Sequence, residues 1–258
     1  MRFLWRRPGR LRGGLAAGFR AQGCLGLPRL RVAPPSVEEV QLRRLDWHGK
    51  VIYDVGANVG VFSLFFARES GDKGEVIAFE PVASNYRVLC KNLRLNGIAN
   101  VRAIPLALGA RAETRPVYRT AGESGTASVM FSSALDSRYR QGEEVRVEPL
   151  DQAVGEHDLP APHFIKIDVE GAEAEVLAGA ERLLAATRPD LWIELHGTGV
   201  IQKADNARLV AHALFALGYQ IFHVETATEV PYRGAPPGTG HIFCRQRSAG
   251  AAARAAGV

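Results

Sequence analysis

A chain of 258 residues, 47% hydrophobic and 23% charged, suits one α/β domain of ordinary size and a globular class. Its net charge of +5 is an N-terminal property: residues 1–50 hold 11 Lys/Arg against Glu38, Glu39 and Asp46 (+8), which leaves −3 for residues 51–258. The body thus lacks the basic footprint a phosphate backbone requires, which disfavours a nucleic-acid partner, and no run of ~18 apolar residues is available to span a bilayer.

In chain order, residues 1–36 contain no acid and many arginines. They fit a mitochondrial-type transit segment, or a disordered extension in a chain that uses 27 Arg and 5 Lys throughout. The expected compartment is cytoplasmic, or mitochondrial if this segment is a transit peptide. Cys24, Cys90 and Cys244 form no CxxC pair, so neither a zinc knuckle nor a disulfide framework is expected.

One domain is expected over residues 37–247. "KVIYDVG" (50–56) is a short apolar run, as in a strand buried on both faces of a parallel sheet. A helix follows in "VFSLFFARES", a strand in "EVIAFEP", an amphipathic helix in "SNYRVLCKNLRLNG" and a strand bent at Pro105 in "NVRAIPLAL". Residues 110–150 break the rhythm with short alternating strands and loops rich in glycine and charge, which reads as an insertion or lid. "ESGTASVMFSSALDSRY" (123–139), within it, is expected to close over substrate.

The strand–helix rhythm then resumes with "HFIKIDVEG", a periodic helix over "AEAEVLAGAERLLAA", the strand "PDLWIELH", the helix "NARLVAHALFALG" and two strands, "YQIFHVE" and "GHIFCRQ". No helical pattern separates the last two, so an antiparallel pair is expected. Residues 248–258 read as a flexible tail. The fold class is therefore α/β, a doubly wound, Rossmann-like, seven-stranded sheet with an antiparallel C-terminal strand.

In such sheets ligands sit beyond the carboxyl ends of the strands, where strand order reverses. The first strand–helix turn reads "DVGANVG" rather than the GxGxxG of a dinucleotide site. Asp54 at the strand end would repel a pyrophosphate but suits a ligand carrying positive charge. Gly56 and Gly60 permit a tight turn and close approach. Glu80 follows the second strand, 20 residues beyond Gly60, where an acid can accept both hydroxyls of a ribose. A cationic ligand with a ribose and no phosphate describes S-adenosyl-L-methionine. The expected cofactor-binding residues are Asp54, Gly56, Ala57, Asn58, Gly60, Glu80, Pro81 and Asp168.

Together, "VIYDVGANVG", "AFEPVASNYRVLCKNLRLNG", "FIKIDVEGAEAEVLAG" and "LWIELH" resemble the FkbM family of S-adenosylmethionine-dependent methyltransferases, from Val51 to His196 in order and spacing. The resemblance implies a class I methyltransferase fold and O-methylation of a hydroxyl on a sugar or small-molecule metabolite. It places Asp54, Gly56, Asn58 and Gly60 in the cofactor loop and Glu80 at the ribose. "KIDVEGAE" (166–173) matches the family's fourth-strand signature, and residues before 50 and over 110–150 match nothing.

A hydroxyl at neutral pH is a poor nucleophile, so a base or Lewis acid is expected near the transferred methyl. The candidates are Asp168 and Glu170 after the fourth strand, and Glu194 and His196 at the fifth, the latter two sharing a face because side chains alternate. The expected catalytic residues are His196 as general base, with Asp168 and Glu194 orienting it or the substrate. The same three could instead hold a divalent cation, but one histidine and few carboxylates favour a reading without metal. His212, His223 and Trp192 read as structural, and Trp47 as a candidate cover for the cofactor loop. Three rivals are kept: a methyltransferase acting on nitrogen or a macromolecule, a nicotinamide oxidoreductase, and a cofactor-binding relative without transfer activity.

Overall fold

The computed structural model describes residues 8–22, 34–120, 139–197 and 200–246. Cys24, all but the last residue of the hydroxyl-rich stretch 123–139, and the tail 248–258 lie outside the described residues.

The chain opens with an antiparallel ribbon of β1 (Gly9–Arg10) and β2 (Arg20–Ala21), followed by α1 (Val37–Leu42). The first half of the main sheet is β3 (Val51–Val55), α2 (Val61–Ser70), β4 (Glu75–Phe79), α3 (Ala83–Leu95) and β5 (Val101–Ile104). β6 (Ala107–Leu108), β7 (Glu113–Thr120) and β8 (Tyr139–Glu148) then form a separate three-stranded sheet. The second half runs α4 (Leu150–Glu156), β9 (Phe164–Ile167), α5 (Glu173–Ala178), α6 (Glu181–Thr187), β10 (Asp190–Leu195), α7 (Val200–Ala216), β11 (Tyr219–His223), β12 (Thr228–Val230) and β13 (Gly240–Gln246).

The main sheet has the order β12-β11-β13-β10-β9-β3-β4-β5. β5, β4, β3, β9 and β10 are parallel, and β13 runs antiparallel between β10 and β11. The sheet thus has eight strands where seven were expected. The addition is β12, an edge strand that folds back on β11 as a hairpin.

Alternation along the strands divides the core in two. Tyr53, Val55, Ile77, Phe79, Ile165, Ile167, Ile193 and Leu195 join a cluster on the face of α4, α5, α6 and α7, while Ile52, Val76, Phe164 and Trp192 join one with Trp47, Phe65 and Phe66. Two further expectations change. The helix expected over 172–186 is split in two at Gly179, where an added Cβ would strike the backbone of Gly109. Residues 8–22, expected within a disordered or targeting extension, are packed: Leu11, Leu15, Ala16 and Ala21 are buried. Arg20 and Asn96 exchange backbone–side-chain hydrogen bonds of 2.8 and 2.7 Å, and Arg68 on α2 donates to the carbonyls of Leu15 and Ala17.

Candidate active site

Order reverses between β3 and β9, and at the carboxyl ends of β3, β4 and β9 lies an open cleft, the position where doubly wound sheets bind ligands. The turn after β3 forms one wall. Gly56 and Gly60 have φ of +84° and +88°, and Asn58, one of the few side chains tolerated there, has φ of +51°. The space these glycines leave is filled by the protein itself. An added Cβ on Gly56 would strike the carbonyl oxygen of Asp168, and one on Gly60 would come within 2.5 Å of Leu89. The positive φ values are those expected of the tight turn, the close approach at both glycines is made by the protein's own atoms, and Gly56 also lines the cleft.

The turn is laced to the end of β4. The N–H groups of Gly56 and Ala57 donate to Phe79 O at 3.0 and 2.9 Å, and Asn58 N–H donates to Glu80 Oε2 at 2.8 Å. Glu80 Oε1 accepts from Val82 N–H at 2.9 Å and from Asn85 Nδ2 at 3.4 Å. Burial pushes the Glu80 carboxyl up to about 7 despite these donors. Each carboxylate oxygen has two lone pairs, so Oε2, with one donor, keeps acceptor capacity for one hydroxyl of a ligand.

Of the expected cofactor residues, Gly56, Asn58, Glu80, Pro81 and Asp168 line the cleft, with apolar walls from Phe79, Leu106, Leu108 and Val169. Asp54, Ala57 and Gly60 do not. Asp54 is fully buried on the other face of β3, where Oδ2 accepts from Ser63 Oγ at 2.6 Å, and β-register sets it opposite Lys166. Burial raises its pKa. The remaining lining suits S-adenosylmethionine: an acid at the end of β4 for a diol, apolar walls, and the buried Asn58 Oδ1, which has no hydrogen-bond partner and can accept from a ligand's donor.

The expected catalytic residues converge beside this cleft. His196 Nε2 lies 3.2 Å from Glu194 Oε1 and 3.8 Å from both Asp168 Oδ1 and Glu170 Oε2. Its Nδ1 lies 3.0 Å from Oε1 of Glu173, a fully buried residue whose Oε2 accepts from Asn206 Nδ2 at 2.6 Å. Burial alone would lower the His196 pKa; hydrogen bonds to Glu173 and Glu194 and the charges of Glu170 and Asp168 outweigh it and push it up to about 11. That electrostatic environment favours the protonated ring. Asp168 joins the two regions: it lines the cleft, its Oδ1 faces His196, and its Oδ2 accepts from buried Lys166 Nζ at 2.8 Å.

Several participants were not anticipated. Glu173 sits in the quoted "KIDVEGAE" but was assigned no role. His241 is brought opposite Glu194 by the antiparallel register of β10 and β13, and its ring contacts Glu225 at 2.6 Å and Glu38 at 3.3 Å. Nothing local in "GHIFCRQ" marks that histidine; only strand pairing does. Burial would lower its pKa, but Glu194, Glu38 and Glu225 raise it to about 9. Trp47 does not cover the cofactor loop: its ring packs edge-on against Phe65, Phe66 and Phe164, and Nε1 donates to Leu42 O. Trp192 and His223 are buried, the latter bonded to Thr226, while His212 is exposed on α7.

Residues 54–221 match the family model described as the Methyltransferase FkbM domain. The chain is 31% identical over 202 residues to the AMB antimetabolite synthetase AmbE of Pseudomonas aeruginosa, covering 66% of this chain and 10% of that protein. It is 30% identical over 161 residues to the 31-O-demethyl-FK506 methyltransferase FkbM of Streptomyces tacrolimicus, covering 52% and 60%. It is 26% identical over 204 residues to the hexuronic acid methyltransferase AglP of Haloferax volcanii, covering 78% of each. The chain therefore spans a tenth of the first of these relatives and 60% of the second. Among solved structures, the methyltransferase FkbM from Methylobacillus flagellatus KT aligns over 80% of this chain and 46% of that one, with a TM-score of 0.51 at 22% identity.

Proposed function

The chain belongs to the FkbM methyltransferase family, and from that premise we propose that it transfers the methyl group of S-adenosylmethionine to a hydroxyl oxygen of a sugar or small metabolite. The observation that carries this reading is the position of Asp168, which lines the cleft with Glu80 and also faces Glu194 and His196. A cofactor site and a polar patch able to receive a hydroxyl thus meet at one side chain. When bound, S-adenosylmethionine supplies an electrophilic methyl: the acceptor oxygen forms a C–O bond as the C–S bond breaks, sulfur keeps the electron pair, and the hydroxyl proton must be taken up.

In this reading the protein's work is alignment and proton removal. Glu80 and the 56–58 turn hold the cofactor's polar edge, and Phe79, Leu106 and Leu108 exclude water from its apolar part. Asp168 receives the acceptor hydroxyl and its proton, with Glu194 beside it as a fixed negative charge; hydrogen bonds to His196 and His241 lower the Glu194 pKa despite its burial. Acceptor choice is assigned to residues 110–150, because β6, at the root of that sheet, contributes to the cleft wall. The names of two relatives, one an O-demethyl substrate's methyltransferase and one a hexuronic acid methyltransferase, favour oxygen on a hydroxylated small molecule over nitrogen or a macromolecule.

Isothermal titration with S-adenosylmethionine, with NAD in parallel, tests the cofactor. An S-adenosylhomocysteine-release assay over a panel of hydroxylated sugars and uronic acids tests transfer. Saturable binding of the sulfonium cofactor and release with a hydroxylated acceptor are expected. NAD binding, or no binding of either, would overturn the reading; cofactor binding with release on no acceptor would favour a relative without transfer activity.

A further inference from the structure

We propose that Lys166 is a positioning residue for the transfer, its ammonium holding the Asp168 carboxylate with Oδ2 turned inward and Oδ1 toward the acceptor. The inference rests on the methyl-transfer reading, and it gives a task to the one buried lysine among the described residues.

The strand pattern builds the contact. Lys166 lies in β9, two residues before Asp168, so both side chains leave the chain on one face. In register it stands between Asp54 on β3 and Trp192 on β10, and its side chain is 1% exposed. Nζ donates to Asp168 Oδ2 at 2.8 Å and lies 4.0 Å from the centroid of the Phe62 ring. Phe62 belongs to the first turn of α2, so an aromatic face on a second element also attracts the ammonium. Burial alone would lower the Lys166 pKa, but the charges of Asp168 and Asp54 outweigh it and raise it.

Asp168 has use for such a partner. Its main chain is fixed, because its N–H donates to Val55 O at 3.0 Å and its carbonyl oxygen fills the space beside Gly56. Its side chain stands at the edge of the cleft, 24% exposed, where rotation would exchange the two oxygens. Among the described residues Lys166 is the hydrogen-bond donor to this carboxylate; His196 Nε2, 3.8 Å from Oδ1, is beyond hydrogen-bond range. The ammonium therefore selects the oxygen that meets the acceptor. Stability does not call for it, since a buried ion pair can commonly be replaced by apolar residues of similar volume without loss. Placement does, because a misplacement of ~1 Å costs on the order of 100-fold in rate.

The first test needs no turnover. The chain has five lysines, and a buried, hydrogen-bonded ammonium exchanges its protons slowly. In protein labelled with 15N-lysine, Lys166 should give a persistent ammonium signal that Asp168→Asn and Phe62→Leu each displace. No persistent signal, or one that neither substitution moves, overturns the proposal.

The second test uses the acceptor found in the release assay. Lys166→Met, or Lys166→Gln where the methionine variant does not fold, should lower kcat about 10- to 100-fold, with acceptor KM and cofactor Kd within about threefold of wild type. Adding Asp168→Asn completes a cycle: if Lys166 acts through Asp168, the double variant loses no more kcat than Asp168→Asn alone. Multiplied losses, or a loss that takes the form of weaker cofactor binding, would make Lys166 structural and overturn the proposal. Wild-type kcat in the Lys166 variants overturns the role of Lys166 and leaves methyl transfer standing. A wild-type chain that releases S-adenosylhomocysteine on none of the acceptors overturns the transfer reading, and the role of Lys166 with it.

Discussion

The carbonyl oxygen of Asp168 occupies the place that a Cβ on Gly56 would need. The first turn of the sheet and the residue joining cofactor cleft to acceptor patch are thus in backbone contact. Gly56→Ala must distort the β3–β9 junction as well as place alanine at φ of +84°. Overpacking costs ~1–3 kcal/mol and the left-handed backbone adds ~1–2 kcal/mol. Gly97 has φ of +63° and nothing within 4 Å of an added Cβ, so Gly97→Ala should lose only the backbone part, ~1 kcal/mol. Urea unfolding of the two variants checks this. Equal losses would mean that the Asp168 contact relaxes freely.

Glu80 couples cofactor binding to pH. Burial raises its pKa to about 7 from an ordinary 4.5. A folded value above the unfolded one contributes stability that is fully present below pH 4.5 and is lost as pH rises through 7, on the order of 3 kcal/mol in all. A diol donating to this carboxylate favours its ionised form, so binding expels a proton. Affinity for S-adenosylmethionine should rise between pH 6 and 8 by up to tenfold per unit, and the apparent binding heat should vary with buffer ionisation enthalpy. Glu80→Gln should bind more weakly, with the slope removed. A flat profile in the wild-type chain would place the ribose elsewhere.

How much of this was legible in the sequence follows from the range of the interactions. Strand–helix periodicity and the turn "DVGANVG" are local, so the order of parallel elements, Glu80 and the strand-end acids could be read directly. Glu194 and His196 meet because residues two apart in a strand share a face. Glu173, His241 and Glu38 reach the same patch through a helix start, an antiparallel register and a distant N-terminal helix, and none of these leaves a local trace. Asp54 shows what alternation adds to a local reading: at the end of an apolar strand, its side chain is buried against Ser63 and opposite Lys166 and does not line the cleft.

The N-terminal ribbon makes a separate prediction. Leu11 and Leu15 are 5% and 2% exposed, and burying a leucine contributes ~1.5–3 kcal/mol. Removing residues 1–22 should therefore cost ~3–6 kcal/mol before relaxation and lower the melting temperature markedly. The ribbon rests on α2 and α3 and contributes no residue to the cleft wall, so the refolded fraction should keep its affinity for S-adenosylmethionine. Unchanged stability would mean that the ribbon detaches freely in solution.

His196 gives the sharpest test of the electrostatics. Its ring is the cation shared by Asp168, Glu170, Glu173 and Glu194. Removing one partner of a buried charge group leaves the others uncompensated and costs ~3–5 kcal/mol, so His196→Ala should be destabilised by about that much at pH 8. The folded pKa of about 11 lies above the ordinary 6.5. The wild-type contribution is therefore complete below pH 6.5 and declines as pH rises toward 11. Raising the pH from 5 to 8 removes part of that contribution, so the stability gap between wild type and variant should be larger at pH 5 than at pH 8. Thermal melts of both proteins at the two pH values measure it. A gap that stays constant or narrows at pH 5 would mean that packing, rather than charge, holds His196 in place.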